Sequence, residues 1–458
     1  MRKKLFLISI IATSAFAQTF SPSLFEQGCQ YQGKLNSEEF LIHRAPYEAS
    51  PPKRPLLTPV MSKATWDIDM SPYAGGEDLL FVHRGVEKIE TYLLSKSPLA
   101  YSKDMYARTW RLSELVTIWL PINYLAMVVQ HEVFGHGYRI RDINKGRVKV
   151  RGYSFGTPPP YGDGGGATAY SLNSDFTTTQ ETAVSMAGVE STAILALLTK
   201  FKWIEAGRID PRQSVLYLLS QHDLDLYVGT LKAEGDLSGH DIHGYIVSLN
   251  YTYPDNLLNK GRIRTLSLIN LADVFTFYAI YSWFHYLSSG KETKIPMIGS
   301  CYLPGLRLGL TPFGPEVFFE NFFSVKNFPL YAYVKGGHHA KNDYYGLGVY
   351  APGLVQWKKW VFGIRVDLWR QPQLLLQPGT VPITEIDFDQ TPSVNDPLYP
   401  ASERHAIRYG GSGSVIFLYK GNNRCGFEVE TGYKAQGFLP GYSLQAAPVA
   451  RLSFTMVF

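Results

Sequence analysis

From about Pro296 onward the sequence alternates. Trp360, Phe362, Ile364, Val366 and Leu368 interleave with Val361, Gly363, Arg365, Asp367 and Trp369. Cys425, Phe427, Val429, Thr431 and Tyr433 interleave in the same way with Arg424, Gly426, Glu428, Glu430 and Gly432. A period of two belongs to β-strands, whose successive side chains point to opposite faces. The last third of the chain is therefore expected to be sheet. Segments with this texture fall near 302–311, 315–325, 329–337, 343–351, 357–370, 405–420, 423–433 and 447–458. A polar, proline-bearing loop over 371–404 separates the fifth from the sixth. About eight antiparallel strands suffice to close a small barrel.

Ala450, Leu452, Phe454, Met456 and Phe458 share one face of the last segment, which stops on that phenylalanine. Such a strand resembles the assembly signal of bacterial outer-membrane barrels, and the resemblance implies membrane lipid around the barrel. A soluble antiparallel barrel or sandwich has the same period with the faces exchanged, and stands as the alternative.

At the other end, Arg2-Lys3-Lys4, an apolar run from Leu5 to Ile11 and then Ala15-Phe16-Ala17 read as a cleavable secretory signal over residues 1–17, cut before Gln18. No cysteine closely follows the apolar run, which speaks against a lipoprotein. The expected location is the outer membrane or periplasm of a Gram-negative-type bacterium. Loss of the signal takes the formal charge from +5 to +2. That near-neutral balance gives no reason to expect nucleic acid as a partner. Cys29, Cys301 and Cys425 are too few for a disulfide scaffold. A Cys301–Cys425 bridge and three isolated thiols both remain open.

Between these ends the texture is helical over 105–290. One apolar segment runs from Leu112 to Gly135, with Pro121 as an expected kink, a second from Thr179 to about Phe201, and a third from Ile263 to about Ser288. Pro158 to Gly166 must be loop. Residues 18–104 lack sustained periodicity and are expected to be irregular with short elements. The organisation anticipated is a signal peptide (1–17), an irregular segment (18–104), a helical domain (105–292) and an antiparallel barrel (293–458), an α+β chain overall.

The first long apolar segment ends in His131-Glu132-Val133-Phe134-Gly135-His136. Two imidazoles and a carboxylate beside the first are the parts needed to hold Zn²⁺ and deprotonate water. Histidines four apart lie about 40° from each other around a helix, but five apart they lie roughly 140° apart. Convergence therefore requires local unwinding or a π-type bulge, and Gly135 is where the backbone can accept one. This six-residue motif resembles that of the HExxGH zinc peptidases, of which the dipeptidyl peptidase III family is the known example. The resemblance implies a peptide or protein substrate, His131 and His136 as Zn²⁺ ligands and Glu132 as general base.

A third ligand is expected from Glu190, the only charged residue between Glu181 and Lys200. A carboxylate on a small-residue apolar helix is costly to bury without a partner, and the order His, His, later Glu resembles the gluzincin arrangement. Gly188-Val189-Glu190-Ser191 departs from the longer acidic motif of dipeptidyl peptidase III, so the chemistry is implied more strongly than that family's fold or specificity. Ser238 to Tyr245 forms a second polar cluster. His240 or Tyr245 is a candidate for stabilising an oxyanion, His240 with His243 for a second metal, and a surface turn is the plain alternative. His222 with Asp223 and Asp225 is a weaker cluster, and His338-His339 is expected in a solvated turn. Gly164 to Tyr170 offers either a strand edge for a peptide substrate or a simple loop.

Three functions fit. The first is an exported zinc peptidase anchored by its own barrel. The second is a non-catalytic outer-membrane protein with a helical plug or assembly element. The third is a polytopic inner-membrane metalloprotease, for which segments 115–130, 182–199 and 265–288 are nearly uncharged.

Overall fold

The computed structural model describes residues 60–94, 102–144, 149–171, 176–230, 240–325, 328–377, 397–421 and 424–458, together with Gly379 and Pro392. The expected signal sequence, Cys29, Ser238 and Gly239 lie outside the described residues.

Strand β1 (Met61–Trp66) is followed by helix α1 (Pro72–Leu94). A long rod then runs as α2 (Met105–Glu114), a π turn (Leu115–Trp119), α3 (Leu120–His131), a second π turn (Glu132–His136) and α4 (Gly137–Asn144). The hairpin β2 (Lys149–Phe155) and β3 (Gly166–Ser171) leads to α5 (Thr178–Ser185) and α6 (Ala187–Ala206). Next come β4 (Arg208–Ile209), α7 (Pro211–Gln221), α8 (Asp223–Thr230), α9 (Asp241–Thr252), α10 (Lys260–Ser267), a 3-10 turn (Leu268–Ala272), α11 (Val274–Ser289) and β5 (Thr293–Lys294), which pairs with β4. Strands β6 (Tyr302–Thr311), β7 (Gly314–Val325), β8 (Phe328–His339), β9 (Asn342–Trp357) and β10 (Trp360–Pro372) precede a one-turn helix α12 (Ala401–Arg404). The chain closes with β11 (Ile407–Lys420), β12 (Cys425–Lys434) and β13 (Ala447–Val457).

The fold is mixed α+β, with a nine-stranded antiparallel sheet ordered β1-β13-β12-β11-β10-β9-β8-β7-β6. Eight strands occupy the segments marked by alternation. The ninth, β1, comes from the stretch expected to be irregular, as does the 23-residue α1. It pairs with the last strand from Met61↔Val457 to Trp66↔Leu452, fixed by Lys63 on Glu428 at 2.6 Å and Thr65 on Ser453 at 2.9 Å. The sheet is open, with β1 and β6 as its edges. The kink expected at Pro121 takes the form of the first π turn, where Leu120 N–H reaches back to the Leu115 carbonyl. A proline cannot donate to the preceding turn, and a widened turn absorbs that loss. Cys301 is disulfide-bonded, but not to Cys425.

The two faces of the sheet decide its chemistry. Leu347, Val366, Leu368, Val415, Phe417, Phe427, Val429 and Leu452 are exposed on one face. Arg307, Glu316, Glu320, Lys335, Arg365, Asp367, Glu428, Glu430 and Arg451 are buried on the other, turned toward the helices. Charges survive burial only when paired, and these are, except Asp367, which accepts from the Tyr333 hydroxyl at 2.8 Å. Lys335 meets Glu316 at 3.1 Å, and Arg451 meets Glu430 at 2.9 Å. Helix α6 lies against β6, β7 and β8, and its Lys200 reaches both Asp273 (2.9 Å) and Glu320 (2.6 Å). Glu320 also accepts from Arg307 at 3.2 Å and from the Tyr331 hydroxyl at 3.1 Å.

Glu320→Ala would leave Lys200 one carboxylate and strip Arg307 of its partner. Breaking one side of a buried pair costs about 3–5 kcal/mol. A matching fall in unfolding free energy is expected in denaturant titration of the purified protein, and a change below about 1 kcal/mol would contradict this account.

Candidate metal centre

The site grows from the second π turn. Its backbone bond spans five residues, Gly137 N–H to the Glu132 carbonyl, so side chains five apart stack on one face. His131 and His136 thereby converge, with their Nε2 atoms 3.2 Å apart. Small residues make room for the turn. A β-carbon on Gly135 would lie 2.7 Å from the Ala187 carbonyl oxygen and 2.9 Å from Gly188 Cα. One on Gly188 would overlap the His131 ring. The bare start of α6 is therefore the floor on which the imidazole rests.

The far nitrogen of each ring is held. His131 Nδ1 lies 2.9 Å from Asp223 Oδ2, which also accepts from the Thr192 hydroxyl at 2.8 Å. His136 Nδ1 lies 2.8 Å from the Val184 carbonyl oxygen. Both partners only accept, so each Nδ1 carries a proton and each Nε2 turns inward. Burial works to lower both imidazole pKa values, but the facing carboxylates outweigh it and raise them, Asp223 and Asp241 for His131 and Asp241 for His136, so an entering metal would displace the protons on the two Nε2 atoms. Both Nε2 atoms face Asp241 Oδ2, at 2.9 Å from His131 and 3.1 Å from His136. Three acceptors meeting one another repel unless a proton or cation lies between them. Two imidazole nitrogens and one carboxylate oxygen are a donor set for a divalent transition metal. A tetrahedral ion with bonds of about 2.0–2.1 Å sets ligand separations near 3.3 Å, close to those found. His131, His136 and Asp241 form the one such group among the described residues. Burial works to raise the Asp241 pKa, but the positive charge and hydrogen bonds of the protonated His136 and His131 rings outweigh it and hold the carboxyl well below its ordinary range.

The third donor is thus Asp241, and the expectation for Glu190 is corrected. Glu190 lies two residues beyond Gly188 on α6, about 200° around the helix, and points away from His131. Its carboxylate accepts from Arg139 Nη2 at 2.7 and 2.9 Å and from Gly441 N–H at 2.6 Å. A buried carboxylate did need a partner, and that partner is a guanidinium. Tyr245 is likewise placed elsewhere. It lies in the core beside Leu308, Leu310 and Phe313, its hydroxyl donating to the Thr311 carbonyl at 3.0 Å.

Glu132 is buried beside the two histidines and accepts from the Thr168 hydroxyl at 2.7 Å. That bond sets β3 against the π turn. His240 caps α9 immediately before Asp241, and both of its ring nitrogens are without a hydrogen-bond partner among the described residues. Its ring stands edge-on to Tyr227 at 5.7 Å. Tyr227 had no signal in the sequence. It stacks on His131 at 5.0 Å, nearly parallel, and its hydroxyl lies 3.1 Å from His131 Nε2. Burial and then the carboxylates of Asp241, Asp223 and Glu132 raise its pKa, so it remains a phenol able to donate. His222 pairs with Asp225 at 2.8 Å and meets Thr276 at 3.1 Å. His338 is partly exposed beside Asp343, whereas His339 is buried, at variance with a solvated turn.

Compared with known proteins, the chain matches no family model, no curated protein and no solved structure.

Asp241→Ala is expected to weaken zinc binding more than about 100-fold, since losing an outer partner alone costs about 10–100-fold. Glu190→Gln is expected to retain the metal while lowering stability. Titration of the purified chain with a zinc-competing dye separates the two, and the opposite ranking would restore Glu190 as a ligand. Gly188→Ala should displace the His131 ring, lower stability by about 1–3 kcal/mol and abolish stoichiometric zinc. Full zinc occupancy in that variant would refute the floor assigned to Gly188.

Proposed function

We propose that this chain is a zinc-dependent peptidase, exported and held in the outer membrane by its C-terminal sheet, acting in the manner of a membrane barrel. The observation that carries the reading is the convergence of two back-anchored imidazoles and Asp241 beside Glu132. Three protein donors leave a fourth position open, as catalytic rather than structural zinc sites do. Bound Zn²⁺ would polarise the scissile carbonyl and acidify a water. Glu132, buried beside the two histidines, would serve as the base that takes a proton from an attacking water and passes it to the leaving amine. Tyr227, with its hydroxyl 3.1 Å from His131 Nε2, is placed to donate to the oxygen on which negative charge develops. An extended substrate is favoured because β3 pairs only with β2 among the described residues and its Thr168 touches Glu132. A peptide added along that strand would pass beside the base.

The outer-membrane part of the reading rests on the inverted sheet, with apolar side chains outward and ion pairs inward. A soluble sandwich has the faces the other way round. A second reading, an inner-membrane metalloprotease, is favoured by one specific feature. The rod Met105–Ile143 is long and apolar enough to cross a membrane, and two further bent helix pairs pass the same test if each counts as one span. The apolar outward face of β9 to β13 favours the first.

Glu132→Gln should keep about one zinc per chain and lose peptide hydrolysis. His136→Ala should lose both. Tyr227→Phe should lower kcat by about 10²–10³-fold with metal intact, the cost of removing one oxyanion donor. Assay against a mixed peptide library, alongside metal analysis, reads all three. Unchanged turnover in Glu132→Gln would refute the hydrolytic mechanism.

A further inference from the structure

The open sheet poses a problem for any membrane-facing wall. Unpaired backbone groups at an edge cost several kcal/mol each in hydrocarbon, which is why spanning sheets close on themselves. Here helical side chains serve both edges. At β6, the Leu308 N–H donates to Asn270 Oδ1 at 2.8 Å, and Gln221 Nε2 approaches the Leu306 carbonyl at 3.5 Å. At β1, the Thr65 N–H donates to Asp78 Oδ1 at 2.6 Å, and Lys202 Nζ donates to the Met61 carbonyl at 2.8 Å.

The helices alongside those edges share the polarity of the sheet. Helix α1 packs on β1. It buries His83, Arg84 and Glu87 and exposes Val82, Ile89, Tyr92 and Leu93. The buried side is an ionic network, with Glu87 accepting from Gln213 at 2.7 Å and Asp210 from Arg212 at 2.7 Å. Lys88 is the exposed charge on the outer side, and its flexible stem can carry the ammonium to an interface. Helix α11 packs on β6. Phe277, Ile280, Tyr281 and Phe284 form one exposed stripe at helical spacing, while Phe275, Ala279 and Tyr286 are buried. The rod containing α2 and α3 joins the two, since α2 packs on α11 and α3 on α1. Arg111 Nη2 donates to the Leu287 carbonyl at 2.9 Å, and Trp119 donates to Glu90 at 3.1 Å.

We propose that helices complete the wall the sheet leaves open, in the order β6, α11, the rod, α1, β1, and that α1 and α11 meet bilayer hydrocarbon as the outer face of the sheet does. The inference rests on the membrane reading above. Lipid is the occupant because charge-inside, apolar-outside polarity recurs in strands and in a helix of different period, and because helical side chains reach backbone groups on both edges. The dimensions agree. The 16 residues of α11 rise about 24 Å, against an apolar band about 25 Å tall on outer-membrane walls.

The test uses the full chain in phosphatidylcholine vesicles carrying a lipid with a diazirine at mid-acyl chain. After illumination and digestion, adducts are mapped by mass spectrometry. Adducts are expected on strand peptides containing Leu368, Phe417 and Val429, and also on peptides containing Phe277–Phe284 and Ile89–Leu93. Labelling of the strands alone would overturn the helical wall and leave the sheet anchor standing. Labelling of neither would overturn both. Protection of α11 together with crosslinks between copies through it would assign that face to a second copy of the chain, and would also overturn the proposal. The paired substitution Ile280→Asp with Phe284→Asp is expected to cut vesicle incorporation at least tenfold, whereas Phe284→Leu should leave it unchanged. Equal incorporation of the aspartate variant would count against lipid contact.

Discussion

The arrangement depends on the helix Ala187–Ala206, which is buried along almost its whole length. Its first turn has no side chain at Gly188, so the π turn lies directly on its backbone and the His131 ring rests over it. Two residues later it sends Glu190 to Arg139, and near its far end it sends Lys200 to Glu320 on the sheet. A helix carrying buried charges at both ends is expensive unless each finds its partner. The metal donors and the sheet are therefore positioned relative to a common axle. Shifting that helix by one residue would lose the floor beneath His131 and both ionic clasps together.

The candidate centre is built from four separate pieces of chain with unequal tasks. The π turn supplies the two nitrogens. Helices α5 and α8 fix their tautomers from behind, through the Val184 carbonyl and Asp223. Helix α9 supplies the carboxylate from its first residue. Because the anchors lie behind the rings and the donors in front, the geometry is preorganised before any ion arrives. That lowers the reorganisation a ligand set must undergo on binding.

Much of this was legible in the sequence where periodicity or spacing carries the information. The eight alternating segments became eight strands because a period of two admits little else. The five-residue spacing of the histidines required a π turn, and Gly135 stands within it. The third donor was not legible, because Asp241 lies 105 residues beyond His136 and an acid at the first position of a helix is ordinary. Glu190 was correctly marked as needing a partner, but nothing local distinguished a metal from Arg139. Tyr227 stacks on His131 through tertiary packing alone and leaves no pattern. Strand β1 escaped notice because six residues beside a proline-rich stretch are too few to establish a period, and which elements flank an open sheet is a property of the assembled chain.

The Glu190 clasp has a kinetic side. Its carboxylate is shared between Arg139, three residues past His136, and the backbone of Gly441, 251 residues further along than Glu190 itself. The scaffold that orders the histidine-bearing turn is thus completed only by a contact of very long loop closure, with the connection leading into β13. Contacts of such separation form late and slowly. The connection into β13 thus acts as a latch between the sheet and the helix that follows the histidine-bearing turn.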